Sequence, residues 1–247
     1  MTSAQPEAVH YTEGRLMDVH RPSAGGVGPA PVVLLWHGRG PDEREVLRPL
    51  AREAARLGLL VLVPDWRSDL PDGGRAELLT SLAHARRILP SYGGDPDRFV
   101  LAGWSLGGRE AVALATHPDT PADLRPSAAV GIASSYARPA VTTGESPLDL
   151  LAGRPSPVPV WLVHGTADEV VGAEHTRQLS AALTTQMSTV RLHEPATDHA
   201  GVVMTVYDAA AARCLPATAE ATLRAGRRTA AVLAEAAGLA GPEGSDR

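Results

Sequence analysis

Between residues 31 and 239, short apolar segments alternate with segments whose apolar residues recur at helical spacing. The apolar segments predict strands at Val32–Trp36, Leu59–Val63, Phe99–Ala102, Ala128–Ile132, Val160–Val163 and Thr189–His193. Most are apolar on both faces, which is typical of strands in a parallel sheet covered by helices on either side. The alternation therefore predicts an α/β fold, a doubly wound and mostly parallel sheet of about eight strands with helices on both faces.

Local signals refine this outline near the N-terminus. The segment Tyr11–His20 predicts an antiparallel strand pair or a sheet edge. Apolar residues at helical spacing from Val46 to Leu57 predict the first helix, and Pro49 indicates that this helix starts late or kinks. A second helical pattern runs from Leu78 to Ile88.

The length of 247 residues suits a single domain, 1–247, which can bury a core without disulfides or metal. The segment 137–157 is rich in Pro, Gly, Ser and Thr and lies between two predicted strands, so we expect a short lid there. Residues 241–247 are expected to form a disordered tail. No internal repeat is evident.

Composition excludes several kinds of chemistry. The chain contains no lysine, and all 23 of its basic residues are arginine. Schiff-base lysines, Ser–Lys dyads and P-loops are therefore excluded. The net charge of -5 gives no sign of nucleic-acid binding. Cys214 is the one cysteine, the N-terminus lacks a signal-peptide pattern, and the longest apolar run is too short for a bilayer. We therefore expect a cytoplasmic protein without membrane partners, and its oligomeric state stays open.

The strongest motif is Gly103–Gly108, which reads GWSLGG. It follows the predicted strand Phe99–Ala102 and opens a helical pattern. A serine at such a tight strand-to-helix turn is held clear of the chain, and glycines two residues away leave room for the turn. The amides at the start of the helix favour developing negative charge at the same point. Ser105 is therefore the candidate nucleophile.

A nucleophilic serine needs a base and an acid that orients the base, and in this arrangement the acid precedes the histidine. Asp168 directly follows the predicted strand Val160–Val163, at the edge of the sheet where ligands bind in open α/β folds. Glu169 is its competitor. The earlier strand end offers no carboxylate before Glu145. Asp168 is therefore the predicted acid.

His199 is the predicted base because it lies in a loop after the strand Thr189–His193. The adjacent Asp198 is too close in sequence to reach the ring well, and we predict a solvated or capping role. The loop histidines His37 and His164 are interpreted as structural. Surface or packing roles are expected for the remaining four candidates, His84, His117, His175 and His193.

The loop His37–Gly40, which reads HGRG, follows the first parallel strand. Acyl transfer needs two backbone N–H donors where the carbonyl oxygen becomes anionic. We expect one from Leu106 and the other from Arg39 or Gly40. The Arg39 side chain could also bind a substrate carboxylate, or instead point into solvent or pair with Asp42 or Glu43. Trp104, beside the nucleophile, is a second candidate substrate contact.

Four motifs together resemble small esterases of the α/β-hydrolase superfamily: His37–Gly40, Asp65–Arg67, Gly93–Arg98 and Gly103–Gly108. A fifth motif, His164–Asp168, lies in the second half of the chain. The first half is similar to hormone-sensitive-lipase-like and feruloyl-esterase-like branches, and the second to dienelactone hydrolases and prolyl-oligopeptidase-type domains. The resemblance covers about Tyr11 to Gly201 and implies the α/β-hydrolase fold with only a small lid. Arg39 and Ala200 depart from it, since glycine is usual at both positions.

The leading prediction is a cofactor-independent serine hydrolase of small-molecule carboxylic esters or acyl compounds, with Ser105, Asp168 and His199 as a triad. No metal-binding motif or dinucleotide fingerprint is present. The same residues could serve acyl transfer, thioester release, cyclisation or C–C cleavage in a biosynthetic pathway. A non-catalytic ligand-binding module is a third hypothesis, disfavoured by the complete set of triad residues.

Overall fold

The computed structural model describes residues 6–23 and 28–240. Its main feature is an eight-stranded sheet in the order β1-β2-β4-β3-β5-β6-β7-β8. The strands are β1 (Glu7–Thr12), β2 (Arg15–His20), β3 (Ala30–Trp36), β4 (Leu60–Pro64), β5 (Gly94–Trp104), β6 (Ala128–Ile132), β7 (Val160–Val163) and β8 (Val190–His193). From β4 to β8 all pairs are parallel, whereas β1 and β2 form an antiparallel edge. The predicted fold class is confirmed.

Helices cover both faces of this sheet. They are α1 (Arg44–Arg56), α2 (Arg75–Tyr92), α3 (Leu106–Thr116), α4 (Pro147–Ala152), α5 (Glu174–Thr185) and α6 (Glu220–Ala236). Alternate strand residues point to opposite faces, so Val33 packs with α1 and α6 while Val32 and Leu34 pack with α2 and α3. Burial on both faces explains why these strands are apolar throughout.

Of the two outcomes predicted at Pro49, a late start or a kink of the first helix, the late start is wrong. Helix α1 begins at Arg44 and includes Pro49. Proline removes one backbone donor, but the helix buries Val46, Leu47 and Leu50 against the sheet. Tertiary packing of this face sustains the helix across the proline, an effect that local propensity does not include.

Two features lie outside the sheet and its main helices. A 3-10 turn (Gly201–Val203) leads into an antiparallel hairpin of β9 (Thr205–Asp208) and β10 (Arg213–Pro216), which the sequence patterns did not predict. Its strands are short and half exposed, so they lack the apolar pattern used to find the others.

The segment 137–157 contains α4 and is tied to the body of the protein by Thr142. The backbone N–H and hydroxyl of Thr142 both donate to the buried carboxylate of Glu110, each over 3.0 Å. Its role as a lid remains a prediction. The tail predicted at 241–247 lies outside the described residues. Among those described, no helix has the length and hydropathy to cross a membrane.

Candidate active site

Ser105 lies between β5 and α3 with φ 54° and ψ -123°, a conformation that residues other than glycine seldom adopt. The turn is tight enough to require glycine on both sides. A Cβ at Gly103 would lie 2.2 Å from the carbonyl oxygen of Gly107, and one at Gly107 would lie 2.3 Å from that of His37. The Ser105 amide donates to the Ile132 carbonyl over 2.8 Å, which ties the turn to the next strand. The surroundings thus impose a strained backbone on this serine.

Asp168 follows β7 and its side chain is fully buried. Its Oδ1 accepts from the amides of Val170 and Val171, both over 2.9 Å. Its Oδ2 lies 2.7 Å from Nδ1 of His199 and 3.2 Å from Nε2 of His164. Burial by itself would raise the pKa of Asp168, but the hydrogen bonds from His164, His199 and Val171 outweigh it and hold this pKa well below its usual value. Asp168 is therefore a carboxylate throughout the ordinary pH range.

His164 has a closer relation to this acid than the structural loop role assigned from the sequence. Its Nε2 lies 2.8 Å from the Val171 carbonyl as well as 3.2 Å from Asp168, and its Nδ1 lies 2.6 Å from Oγ1 of Thr176. The ring therefore contacts the same carboxylate oxygen, Oδ2, that His199 contacts, and helps to orient Asp168. The signal available in the sequence was its place four residues before Asp168 in the same loop.

His199 is held between Asp168 and Trp104. The indole N–H of Trp104 donates to the His199 carbonyl over 2.9 Å, and the two rings lie 5.1 Å apart at 40°. Trp104 is only 5% exposed and packs in the core, so little of its surface is left for a substrate. With Nδ1 facing Asp168, Nε2 of His199 is hydrogen-bonded to none of the described residues.

The structure thus brings Asp168 and His199 into direct contact and places Ser105 with His199 in the wall of one cavity. Within the described residues, the Ser105 and His199 side chains are not hydrogen-bonded to each other. Catalytic hydrogen bonds often tighten only when substrate is bound, so this separation does not argue against a shared role.

The loop after β3 lies directly against the nucleophile turn. A Cβ on Gly38 would come within 3.2 Å of the Ser105 Cβ and of the Trp104 ring. Of the three predicted amide donors, Gly40 already donates to the Ser68 hydroxyl over 3.3 Å. The amides of Leu106 and Arg39 are bonded to none of the described residues, so these two are the better candidates for an oxyanion.

His37 anchors this loop, as its predicted structural role requires. Its Nδ1 lies 2.9 Å from the Gly38 carbonyl, and its Nε2 accepts from the Trp66 amide over 3.2 Å. Burial lowers the pKa of His37 to about 4, so the ring is neutral at pH 7. His37 also lies with Asp42 and Asp65 in a group whose potential ligand atoms are within 4.8 Å of one another. Because both ring nitrogens are engaged, this arrangement is a poor metal site.

Ser105 lies where two cavities meet. The larger, about 850 Å³, is lined by three arginines and by serine and histidine side chains: Arg39, Arg109, Arg138, Ser134, Ser135 and His175. The smaller, about 470 Å³, is lined by Trp104, Tyr207 and His199 among others. We call them the arginine cavity and the aromatic cavity. Arg39 and Ser105 belong to both walls.

No protein-family model matches this chain, and no curated protein matches its sequence. Solved structures do match its fold. A thermophilic esterase from the Planctomycetes species Thermogutta terrifontis, Est2, is 18% identical with a TM-score of 0.75, over 98% of this chain and 95% of that one. Its butyrate-bound form is 17% identical with a TM-score of 0.75, over 97% of each chain. The same esterase phosphorylated by paraoxon is 18% identical with a TM-score of 0.71, over 94% and 92%. The chain therefore shares the α/β fold of this esterase.

Proposed function

We propose that this protein is a serine hydrolase that cleaves small carboxylic esters. The observation that carries the proposal is the buried Asp168–His199 pair, whose free Nε2 shares a cavity wall with the strained Ser105. The likeness to an esterase that paraoxon phosphorylates supports a serine-hydrolase assignment. The preference for carboxylic esters over other acyl compounds is the finer part of the proposal.

In this mechanism Ser105 Oγ attacks the ester carbonyl while Nε2 of His199 takes its proton. Asp168 keeps the ring in the tautomer with hydrogen on Nδ1 and stabilises the imidazolium that forms. The amides of Leu106 and Arg39 bind the tetrahedral oxyanion, and each such donor is worth ~2.7–4 kcal/mol in other hydrolases. His199 then protonates the departing alcohol, and water attacks the acyl-enzyme by the same route.

Turnover of short 4-nitrophenyl esters by the wild type and by Ser105→Ala tests the proposal. We expect Ser105→Ala to lose a factor of about 10³ or more in kcat, because no other group can form the acyl-enzyme. The matched control is Ser135→Ala, which removes a hydroxyl from the arginine cavity and should have a far smaller effect. More than about a tenth of wild-type turnover in Ser105→Ala would overturn the mechanism.

Paraoxon provides a second test that does not depend on finding a good ester. Attack by Ser105 should release one equivalent of 4-nitrophenol and leave a diethylphosphoryl group on the peptide that contains Ser105. Mass spectrometry of the wild type and of Ser105→Ala would locate the adduct. An adduct that persists in the variant would contradict the assignment.

A further inference from the structure

The arginine cavity contains far more positive charge than ester hydrolysis requires. Three arginines line it, and none of the described residues in its wall is an acid. Transition-state charge in the proposed mechanism is met by backbone amides, so these guanidinium groups have no role in bond cleavage. Their presence beside Ser105 therefore indicates that the substrate has an anionic group away from the scissile bond.

Two of the three arginines are uncompensated. Arg39 and Arg138 are exposed and form no ion pair with any described residue. The alternative in which Arg39 pairs with Asp42 is not found, because Asp42 binds Arg44 over 2.9 Å. Glu43 is not paired with Arg39 either, and it lines the aromatic cavity instead.

Arg109 is fixed in place by the buried Glu110. Its Nε lies 3.3 Å from Oε1 of Glu110, whose other oxygen accepts two hydrogen bonds from Thr142. The Arg109 side chain is only 15% exposed, so it is held at the cavity wall instead of extending into solvent. A preorganised guanidinium loses less entropy when it binds a carboxylate.

The position of His199 decides which half of an ester faces the arginines. A general acid must come within hydrogen-bond reach of the leaving oxygen. His199 lines the aromatic cavity and is absent from the wall of the arginine cavity. The alcohol therefore leaves on the aromatic side, and the acyl chain extends from Ser105 into the arginine cavity.

We propose that the preferred substrates are half-esters of dicarboxylic acids, whose free carboxylate lies among Arg39, Arg109 and Arg138. This rests on the proposed function. Ser105 Oγ bonds to the acyl carbon, the ester C–O bond breaks, and the alcohol departs with the proton that His199 took from Ser105. Water then cleaves the acyl-enzyme to release the dicarboxylate, and the free carboxylate takes no part in either step.

The test compares the 4-nitrophenyl half-ester of adipic acid with its methyl diester, methyl 4-nitrophenyl adipate. The diester has the same acyl chain and leaving group without the charge. We expect wild-type kcat/KM to be about tenfold or more higher for the half-ester, since a hydrogen bond to a charged group is typically worth that factor. Arg138→Gln should lower the ratio of half-ester to diester kcat/KM, and the double variant with Arg39→Gln should abolish the preference. The ratio within each variant is the readout, because the backbone amide of Arg39 is also a proposed oxyanion donor. Arg213→Gln is the matched control, because Arg213 lines the aromatic cavity and is not among the residues that line the arginine cavity.

A second substrate pair tests the orientation. In 4-acetoxybenzoate the charge is on the alcohol side of the ester. If kcat/KM is higher for 4-acetoxybenzoate than for its methyl ester, and the adipate half-ester shows no such advantage over its diester, the assignment of the two halves is overturned. If wild-type kcat/KM is equal for the two adipate esters, and their ratio is the same in the double variant, the proposal is overturned while ester hydrolysis stands.

Binding of adipate to the wild type, followed by calorimetry, separates this proposal from the proposed function. Adipate binding that the double variant loses supports the arginine site even if no ester is cleaved. Binding of inorganic phosphate without adipate would overturn the carboxylate assignment. Absence of adipate binding to the wild type, or adipate binding that the double variant retains, would overturn the site. Unchanged thermal unfolding of the double variant shows that a loss of binding is not a loss of fold.

Discussion

The arginine cavity and the aromatic cavity share Ser105, the proposed nucleophile, but differ in charge. The first has three arginines and no acid among its described lining residues. The second sets Arg39 and Arg213 against three acids, Glu43, Glu169 and Asp198, beside the rings of Trp104 and Tyr207. One reactive centre therefore faces an electropositive wall on one side and a nearly neutral, partly aromatic wall on the other. Under the proposed function, this arrangement would let the acyl and alcohol halves of an ester be selected independently.

The contrast originates in segments outside the sheet. Arg138 comes from the 137–157 segment and Arg109 from the start of α3, whereas Tyr207 and Arg213 come from the β9–β10 hairpin. The sheet holds Ser105, Asp168 and His199 at its carboxyl edge, and the added segments give each side its character. Specificity in this fold can therefore change without disturbing the reactive centre.

The largest expected effect is one that both cavities share. Asp168→Asn should lower kcat by ~10⁴-fold, because an amide does not hold the required histidine tautomer or stabilise the imidazolium. The adipate half-ester and its methyl diester should lose activity to the same extent. Glu169→Gln, beside it in sequence, should cost far less. A loss of kcat that differs several-fold between the two substrates would show that they are not cleaved by the same Asp168-dependent residues.

The free energy of unfolding should fall in acid, in part because of the histidine that anchors the loop bearing Arg39. His37, which anchors the Arg39 loop, has its pKa lowered to about 4 by burial, as has His20 at the far edge of the sheet. Between pH 6.5 and about 4 the unfolded chain binds protons that these folded rings do not, so the free energy of unfolding falls as pH falls through this window. Each of the two histidine rings accounts for on the order of 3 kcal/mol at most of this fall in the free energy of unfolding.

Urea unfolding of the wild type and of His37→Gln across that pH range measures this contribution. The variant should be less stable at neutral pH, where the hydrogen bonds of His37 are lost, but its stability should decline less on acidification. His20→Gln should also flatten the decline, without affecting activity at pH 7. An identical pH dependence in the wild type and His37→Gln would show that this ring is not the source.

The smallest effect concerns the aromatic cavity alone. Tyr207 is 61% exposed on the β9–β10 hairpin, so an alcohol group that packs on it would bury only part of the ring. Tyr207→Ala should raise KM about fivefold for esters of bulky aromatic alcohols, which corresponds to ~1 kcal/mol of apolar contact. Methyl esters should be unaffected, and the control is Met187→Ala, because Met187 is exposed and lines neither cavity. Equal changes for both ester classes would place the bulky alcohol elsewhere.

Much of the fold was predictable because the relevant patterns are local. Strands β6 and β7 have the predicted bounds, since each is a continuous apolar run between polar turns. Ser105, Asp168 and His199 follow the parallel strands β5, β7 and β8, which placed all three at one edge of the sheet. The β9–β10 hairpin was missed because Thr205–Asp208 is short and exposed, and so lacks a burial pattern.

The amino-acid sequence by itself determined the sheet, the nucleophile turn and the three candidate residues, because these follow from apolar periodicity and from glycine spacing along a continuous segment. Only the tertiary structure decided that His164 touches Asp168, that Trp104 holds the His199 carbonyl, and that Gly40 gives its amide to Ser68. It also gathered Arg39, Arg109 and Arg138 into one cavity wall. These relations join residues from different segments, and the distances between them depend on how helices and loops pack onto the sheet, which local patterns do not specify.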